Sequence, residues 1–472
     1  MKKFTLVIIT AVLCVVLLSP QLTAKGYKTY QDVPVPELKW AMPEYQQFTL
    51  SNGIAGLVVE DHEVPLVEFE LDFTAPPDPA TRVGLAEMTT WVLRNGGSVN
   101  ISADSLNDLL EFKAAYLNVS AGSELLKFSG SCFKEDLPLL LSLTRELIDH
   151  PAYPEEKIEL KRSTMLEQIR RRYDRPYGIA RREFFRLVYP DHPWGRETSD
   201  SSVQALGRDG LQNYHRSVFQ PAGAVIGVSG DVNTGEVQKL AEQSLGSLAA
   251  GGETLASLPP LNQPAAGGVY YGYKDFNQAF VSMGHRSIKY DDPRRHASEI
   301  MNYILGEGTF QSRLTKRVRV DEGLAYGVWS SFSQPVPAEG TFLASAATRL
   351  EQSGRAIEIM KETIDTYRQD GPTQEEFDKA MKAFVNSYVW KYESSDEILS
   401  RLVYLKWRGL PLDTPQRDLE AYQRLTLDDV RRAAGELLHP DNFIIVVVGD
   451  RAKMDRPLED FGAVTELKLG TE

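Results

Sequence analysis

The sequence predicts an α+β protein in which one domain is written twice. Three observations carry this: the length, a break rich in proline and glycine near the middle, and segments that recur in the same order on both sides of it. At 472 residues the chain is too long for one ordinary core, and 42% hydrophobic with 25% charged residues is the balance of a globular protein.

The chain opens "MKKFTLVIITAVLCVVLLSPQLTAKG". Two lysines, an apolar run from Phe4 to Leu18 and the small Ala24 predict a secretory signal over residues 1–24, cut after Ala24. The other reading is an uncleaved anchor, but the run falls short of the roughly 20 residues that span a bilayer. Residues 25–40 follow as an extension. An exported, periplasmic chain with no membrane span after cleavage is the expectation. Cys14 leaves with the signal, so Cys132 stands alone and no internal disulfide forms. The net charge of −13 becomes −15 once Lys2 and Lys3 are removed, which argues against nucleic acid or anionic lipid as the main partner.

The break is "AAGGETLASLPPLNQPAAGG", residues 249–268, with the composition of a linker. It separates a first domain, 41–248, from a second, 269–456, and a tail, 457–472. "PAYPEEKIELKRSTMLEQI" from Pro151 matches "DGPTQEEFDKAMKAFVNSY" from Asp370, each with a glutamate pair opening an amphipathic helix. "RLVYPDHPWG" from Arg186 matches "RLVYLKWRGL" from Arg401, and "FQPAGAVIGVSGD" ending at Asp231 matches "LHPDNFIIVVVGD" ending at Asp450. Three matches in one order, at an offset of about 215 to 220 residues, indicate an internal duplication.

Within the halves, "PLVEFELDF" alternates Val67, Phe69, Leu71 and Phe73 with Glu68, Glu70 and Asp72, the period of a strand with one wet face. Helical periodicity marks 137–149, 155–173, 356–368 and 375–392. "GLAEMTTWVLRNGG" reads as a further helix, entered through Gly84 and Ala86 and stopped by a Gly-Gly pair.

That helix, the duplication and "SRLTKRVRVDEGLAYGVWSS" in the second half resemble the pitrilysin-like (insulinase family) zinc metallopeptidases, over essentially the whole chain from about Trp40 to Met454. The resemblance implies two tandem homologous domains, each a mostly antiparallel sheet packed with helices. In the family the first segment reads Gly-x-Ala-His-x-x-Glu-His: both histidines bind zinc, and the glutamate is general base toward the zinc-bound water. Residues four apart share a helix face, so two imidazoles converge on one ion. Aligned here, the histidines are Glu87 and Trp91 and the base is Thr90. The family's third ligand, a glutamate some 77 residues past the second histidine, falls on Gln168, with Glu167 beside it as a one-residue ambiguity. Trp91 offers only a donor, and Thr90 takes no proton near neutrality. The seven histidines form no His-x-x-x-His pair, the closest two being eleven residues apart, so no metal is expected in this chain.

The resemblance also implies that an arginine and a tyrosine seven residues later, here Arg319 and Tyr326, reach the substrate and stabilise charge developing on the scissile carbonyl. From pattern alone, Tyr326 alternates with Leu324 and Val328 and fits a core position, while Arg319 sits in a charged run suited to a solvated side chain. Gly306 and Gly308 match a glycine-containing segment of the family. They read either as substrate-binding positions where a peptide backbone approaches closely or as a plain helix-to-turn break.

The reading is a non-catalytic, substrate-binding subunit of an exported heterodimeric zinc endopeptidase, inactive alone. It supplies Arg319 and Tyr326 in trans to a homologous partner that carries His-x-x-Glu-His and the zinc. The alternative is a structural or peptide-binding pseudopeptidase without proteolytic function.

Overall fold

The computed structural model describes residues 40–174, 176–249 and 256–470. The expected signal, all but the last residue of the extension, and residues 250–255 of the expected linker lie outside them.

The first half runs β1 (Gln46–Thr49), β2 (Ala55–Glu60), β3 (Leu66–Thr74), α1 (Leu85–Gly96), α2 (Ala103–Phe112), β4 (Tyr116–Ala121), β5 (Leu125–Phe133), α3 (Leu137–Asp149), α4 (Glu155–Arg170), α5 (Pro176–Val188), α6 (Asp200–Gln204), α7 (Arg208–Val218), β6 (Val225–Gly230) and α8 (Thr234–Leu245). The second runs β7 (Gly268–Tyr273), β8 (Gln278–Arg286), α9 (Arg295–Asn302), β9 (Ala325–Phe332), β10 (Thr341–Arg349), α10 (Ser353–Asp370), α11 (Gln374–Tyr388), α12 (Ser395–Trp407), α13 (Thr414–Arg424), α14 (Leu427–Leu437), β11 (Ile444–Gly449) and β12 (Val464–Leu467).

Each half forms one six-stranded sheet, ordered β1-β2-β6-β3-β5-β4 and β12-β7-β11-β8-β10-β9. Apart from the outermost β1 and β12, the orders correspond strand for strand. Both are mixed and mostly antiparallel: β2–β6 and β7–β11 are parallel, while β3 and β8 pair antiparallel on both sides. The expected tail is not a loose end, because β12 adds in parallel to β7 and closes that edge.

The two copies are not self-contained. Helix α5 of the first half packs on β8 and β11, so that Ile179, Phe184 and Val188 share a core with Phe280, Leu343, Ile444 and Val446. The repeated counterpart α12 crosses the other way onto β2, β6 and β3. Gly227 permits this crossing, since a Cβ there would stand 2.5 Å from a Val403 methyl. The repeated "RLVY" falls at the C-terminal end of α5 and in the last two turns of α12.

The exchange corrects one expectation. The face of β3 that bears Glu68, Glu70 and Asp72 is wet only at its outer end: Glu68 stays exposed, while α12 packs on the strand and Glu70 and Asp72 are buried. Asp72 is 1% exposed. Lys127 sits 2.6 Å from Glu70 and 3.7 Å from Asp72, and the Ser400 hydroxyl of α12 donates to Glu70 at 3.0 Å. Further along the seam, the Trp407 indole donates to the Thr74 hydroxyl and Arg408 pairs with Glu124. Strict alternation of charge had suggested solvent, and the long-range partner was invisible locally.

Candidate functional site

Helix α1 begins where the sequence places it. Gly84 holds a left-handed φ of 100° at the N-cap, and the Asp78 carboxylate accepts from the backbone N–H of Gly84 at 2.7 Å and of Ala86 at 3.0 Å. That satisfies two of the donors a helix start leaves unpaired. The helix ends at Gly97, whose φ is 72° and where a Cβ would lie 2.5 Å from the Ile101 carbonyl oxygen.

On this helix Glu87 is half-exposed, Thr90 is buried and Trp91 packs on the first-half core. The Thr90 hydroxyl donates to the carbonyls of Ala86 and Glu87 at 3.0 and 3.1 Å, so its own helix consumes it. The side chain that α4 brings against this face is Lys161. Its ammonium lies 2.7 Å from a Glu87 oxygen and 5.8 Å from the centre of the Trp91 ring. Gln168, the position reached by counting, lies two turns on, roughly 10 Å further along the axis. A cationic side chain therefore stands against the two turns where the family holds a cation by three ligands. Among the described residues, no group of three or more metal-ligating side chains occurs.

Lys161 was missed, although its signal was present. The buried positions of α4 are Ile158, Lys161, Met165 and Ile169, a helical stripe with one lysine in it.

Arg319 and Tyr326 come together in the second half. The guanidinium lies over the Tyr326 ring at 4.7 Å and over the Phe310 ring at 4.7 Å, so it is held between two aromatic faces. Simple alternation with Leu324 and Val328 would turn Tyr326 inward. Instead the pairing of β9 with β10 passes from Gly327↔Ala347 to Ala325↔Thr348, leaving Tyr326 as the extra residue of a bulge. Bulges re-aim side chains, and this one turns Tyr326 outward to 81% exposure while Leu324 and Val328 stay buried. Among the described residues Arg319 has no carboxylate partner within ion-pair distance. Phe310, 66% exposed, gave no local signal in the sequence.

Gly306 and Gly308 serve the chain itself. Both are buried at a π-helical turn, Tyr303–Glu307, that lies against β9. A Cβ on Gly306 would collide with the Ser330 hydroxyl, and one on Gly308 would stand 2.6 Å from the Tyr303 carbonyl oxygen. The close approach that glycine permits is here made by β9 and by the turn. The Ser330 hydroxyl then donates to the Asn302 side-chain carbonyl at 2.7 Å, fixing the turn to the strand.

Two matched sheets with exchanged helices, and a ligand face filled by Glu87, Lys161 and Trp91, define a pitrilysin-like peptidase scaffold without its metal. Residues 205–384 match the family described as Peptidase M16 inactive domain. The chain is 26% identical to the "Non-peptidase homolog YmxG" of Helicobacter pylori over 79% of its own length and 86% of that protein's. It is also 26% identical, over 76% of its length and 81% of the relative's, to an uncharacterized zinc protease of Mycobacterium leprae. Among solved structures, the peptidase M16 inactive domain from Pseudomonas fluorescens superposes with a TM-score of 0.79 at 25% identity, covering 86% of this chain and 98% of that one. The fold is thus of the pitrilysin-like, or M16, type, and the chain is similar to that family's inactive domain and to a relative named a non-peptidase homolog.

Proposed function

We propose that the chain is the substrate-binding, non-catalytic subunit of an exported zinc endopeptidase made of two homologous chains. In this reading, Arg319 and Tyr326 act on a peptide held at the zinc of a partner carrying His-x-x-Glu-His. The observation that carries the reading is the outward bulge at Tyr326. An exposed phenol beside a guanidinium with no carboxylate of its own costs packing area and needs a solvent-side purpose.

The chemistry fits. When a scissile carbonyl becomes tetrahedral, its oxygen gains negative charge, and preorganised donors stabilise that charge more than they stabilise the ground state. Phe310 and Tyr326 hold the planar guanidinium in place, which lowers the entropy lost when it meets the substrate. Peptide hydrolysis itself falls to the partner's zinc and glutamate, because Thr90 and Trp91 supply neither base nor ligand.

The test is purification of the tagged mature chain from its host, followed by assays of the eluate for zinc and peptide cleavage. Recovery of a similar-sized chain with His-x-x-Glu-His, zinc and activity supports the reading. In that complex, Arg319→Ala and Tyr326→Phe each lower kcat by about 10²-fold, the scale of losing one oxyanion donor, with assembly intact. Unchanged activity would transfer the chain to the structural reading.

A further inference from the structure

The open face of β9 continues beyond Tyr326. Past the bulge, Gly327, Trp329 and Ser331 alternate on the solvent side while Val328, Ser330 and Phe332 are buried. A Cβ on Gly327 would meet nothing within 4 Å, so the track is unobstructed there. It leads to Ser331 and Ser333, which open into a cavity of about 750 Å³ between the two halves, a size suited to a ligand several residues long.

The cavity is walled by Phe185 of the exchanged helix α5, by Tyr189 and Trp194 after it, and by Ala86 at the start of α1. The rings are fixed. Phe185 and Tyr189 stack at 6.4 Å with planes 8° apart, Trp194 meets Tyr189 edge-on at 5.2 Å, and the Tyr189 hydroxyl donates to the Glu339 carbonyl. Three charged residues reach this space. Asp78 is committed to the start of α1, and Arg196 donates to the carbonyls of Asp78 and Asp191. Arg181 lies over the Phe185 ring at 5.5 Å and, among the described residues, forms no ion pair. The walls are apolar and the uncommitted charge is positive.

We propose that this cavity anchors the peptide substrate through a large apolar or aromatic side chain, with an adjacent carboxylate of the peptide paired to Arg181. Tyr326 and Ser331 are five residues apart on one strand, roughly 16 Å. The anchor thus sits about five extended residues from the segment presented to Arg319 and Tyr326, which sets a length as well as a composition for the substrate. The inference rests on the peptide-binding part of the reading above.

The test uses the full mature chain without a partner and two fluorescein-labelled peptides, Ala-Ala-Ala-Ala-Phe-Asp and Ala-Ala-Ala-Ala-Phe-Lys, both amidated, followed by anisotropy. The Phe-Asp peptide binds about tenfold tighter than the Phe-Lys peptide, as a charge-assisted contact to Arg181 requires. The exposed substitution Arg181→Glu inverts that order, and Ser123→Trp, which fills the space from the β4–β5 turn, weakens both peptides. Absence of binding, equal affinities, or a preference indifferent to Arg181→Glu overturns the anchor. Failure here with loss of activity in the Arg319→Ala complex discards the pocket and keeps the proposed function. The converse result keeps the pocket and discards the role in trans.

Discussion

The Lys161 ammonium lies 2.7 Å from Glu87 and 5.8 Å from the centre of the Trp91 ring, so one side chain of α4 spans two successive turns of α1. The position that faces the ligand pair is therefore 161. Replacing Glu87→His, Thr90→Glu, Trp91→His and Lys161→Glu together rebuilds a site that binds zinc at about one equivalent, measured by metal analysis after gel filtration. The same set with Gln168→Glu in place of Lys161→Glu retains no zinc. Equal zinc in both would mean that α4 shifts along its axis when a metal is present.

Arg319 is held between Phe310 and Tyr326, and each ring contributes about 0.5–1 kcal/mol to fixing the half-buried guanidinium. Arg319→Lys keeps the charge but loses the planar fork, and is expected to impair the assembled peptidase nearly as much as Arg319→Ala. Phe310→Ala lowers kcat several-fold while the melting temperature of the chain stays within about 1 °C, since Phe310 is exposed. A melting temperature that falls with activity would assign Phe310 to stability instead.

Burial and the neighbouring Glu70 carboxylate push Asp72 up to about 7, against the pull of Lys127. Unfolded, an aspartate titrates near 4. Between those values the folded chain binds the extra proton, so this residue's contribution to stability falls as pH rises from about 4 to about 7 and is flat above. Asp72→Asn removes that slope. In urea unfolding, its stability relative to wild type should be higher at pH 7.5 than at pH 5. A difference independent of pH would show that Asp72 titrates normally.

Because α5 completes the second core and α12 covers the first sheet, the connection between halves is not what holds them together. A protease site inserted at the exposed Asn262–Gln263 can be cut, and the two fragments should still co-elute as one species until denaturant is added. Separation in native buffer would contradict the exchange.

Much of this architecture was legible. The helix from Leu85 to Gly96 follows from its capping glycines, helix 137–149 follows from apolar periodicity, and the expected 155–173 is α-helical over 155–170 and closes in a single 3-10 turn, 171–173. The duplication showed in three short matches because each marks an element that both sheets need. What local pattern could not give was anything decided by a distant partner. Glu70 and Asp72 looked solvated until α12 was placed over them, and Val464–Leu467 looked like a tail until it met β7. Tyr326 illustrates the limit at the site: period-two alternation predicts a buried ring, and one unpaired residue in the ladder reverses it. Counting to Gln168 did not point to Lys161, since spacing along the chain does not fix which turn of a helix meets Glu87 and Trp91.

The helix exchange also dictates an order of assembly. On a ribosome, β3 and β6 are made long before Ser395–Trp407 emerges, a wait on the order of ten to thirty seconds at ordinary elongation rates. Throughout it, one whole surface of the newborn sheet has no cover. Three carboxylates on that surface, Glu68, Glu70 and Asp72, keep it from adhering to other unfinished chains, as charges placed on aggregation-prone strands do. The acid groups that burden the finished seam are the ones that protect the nascent half until its missing helix arrives.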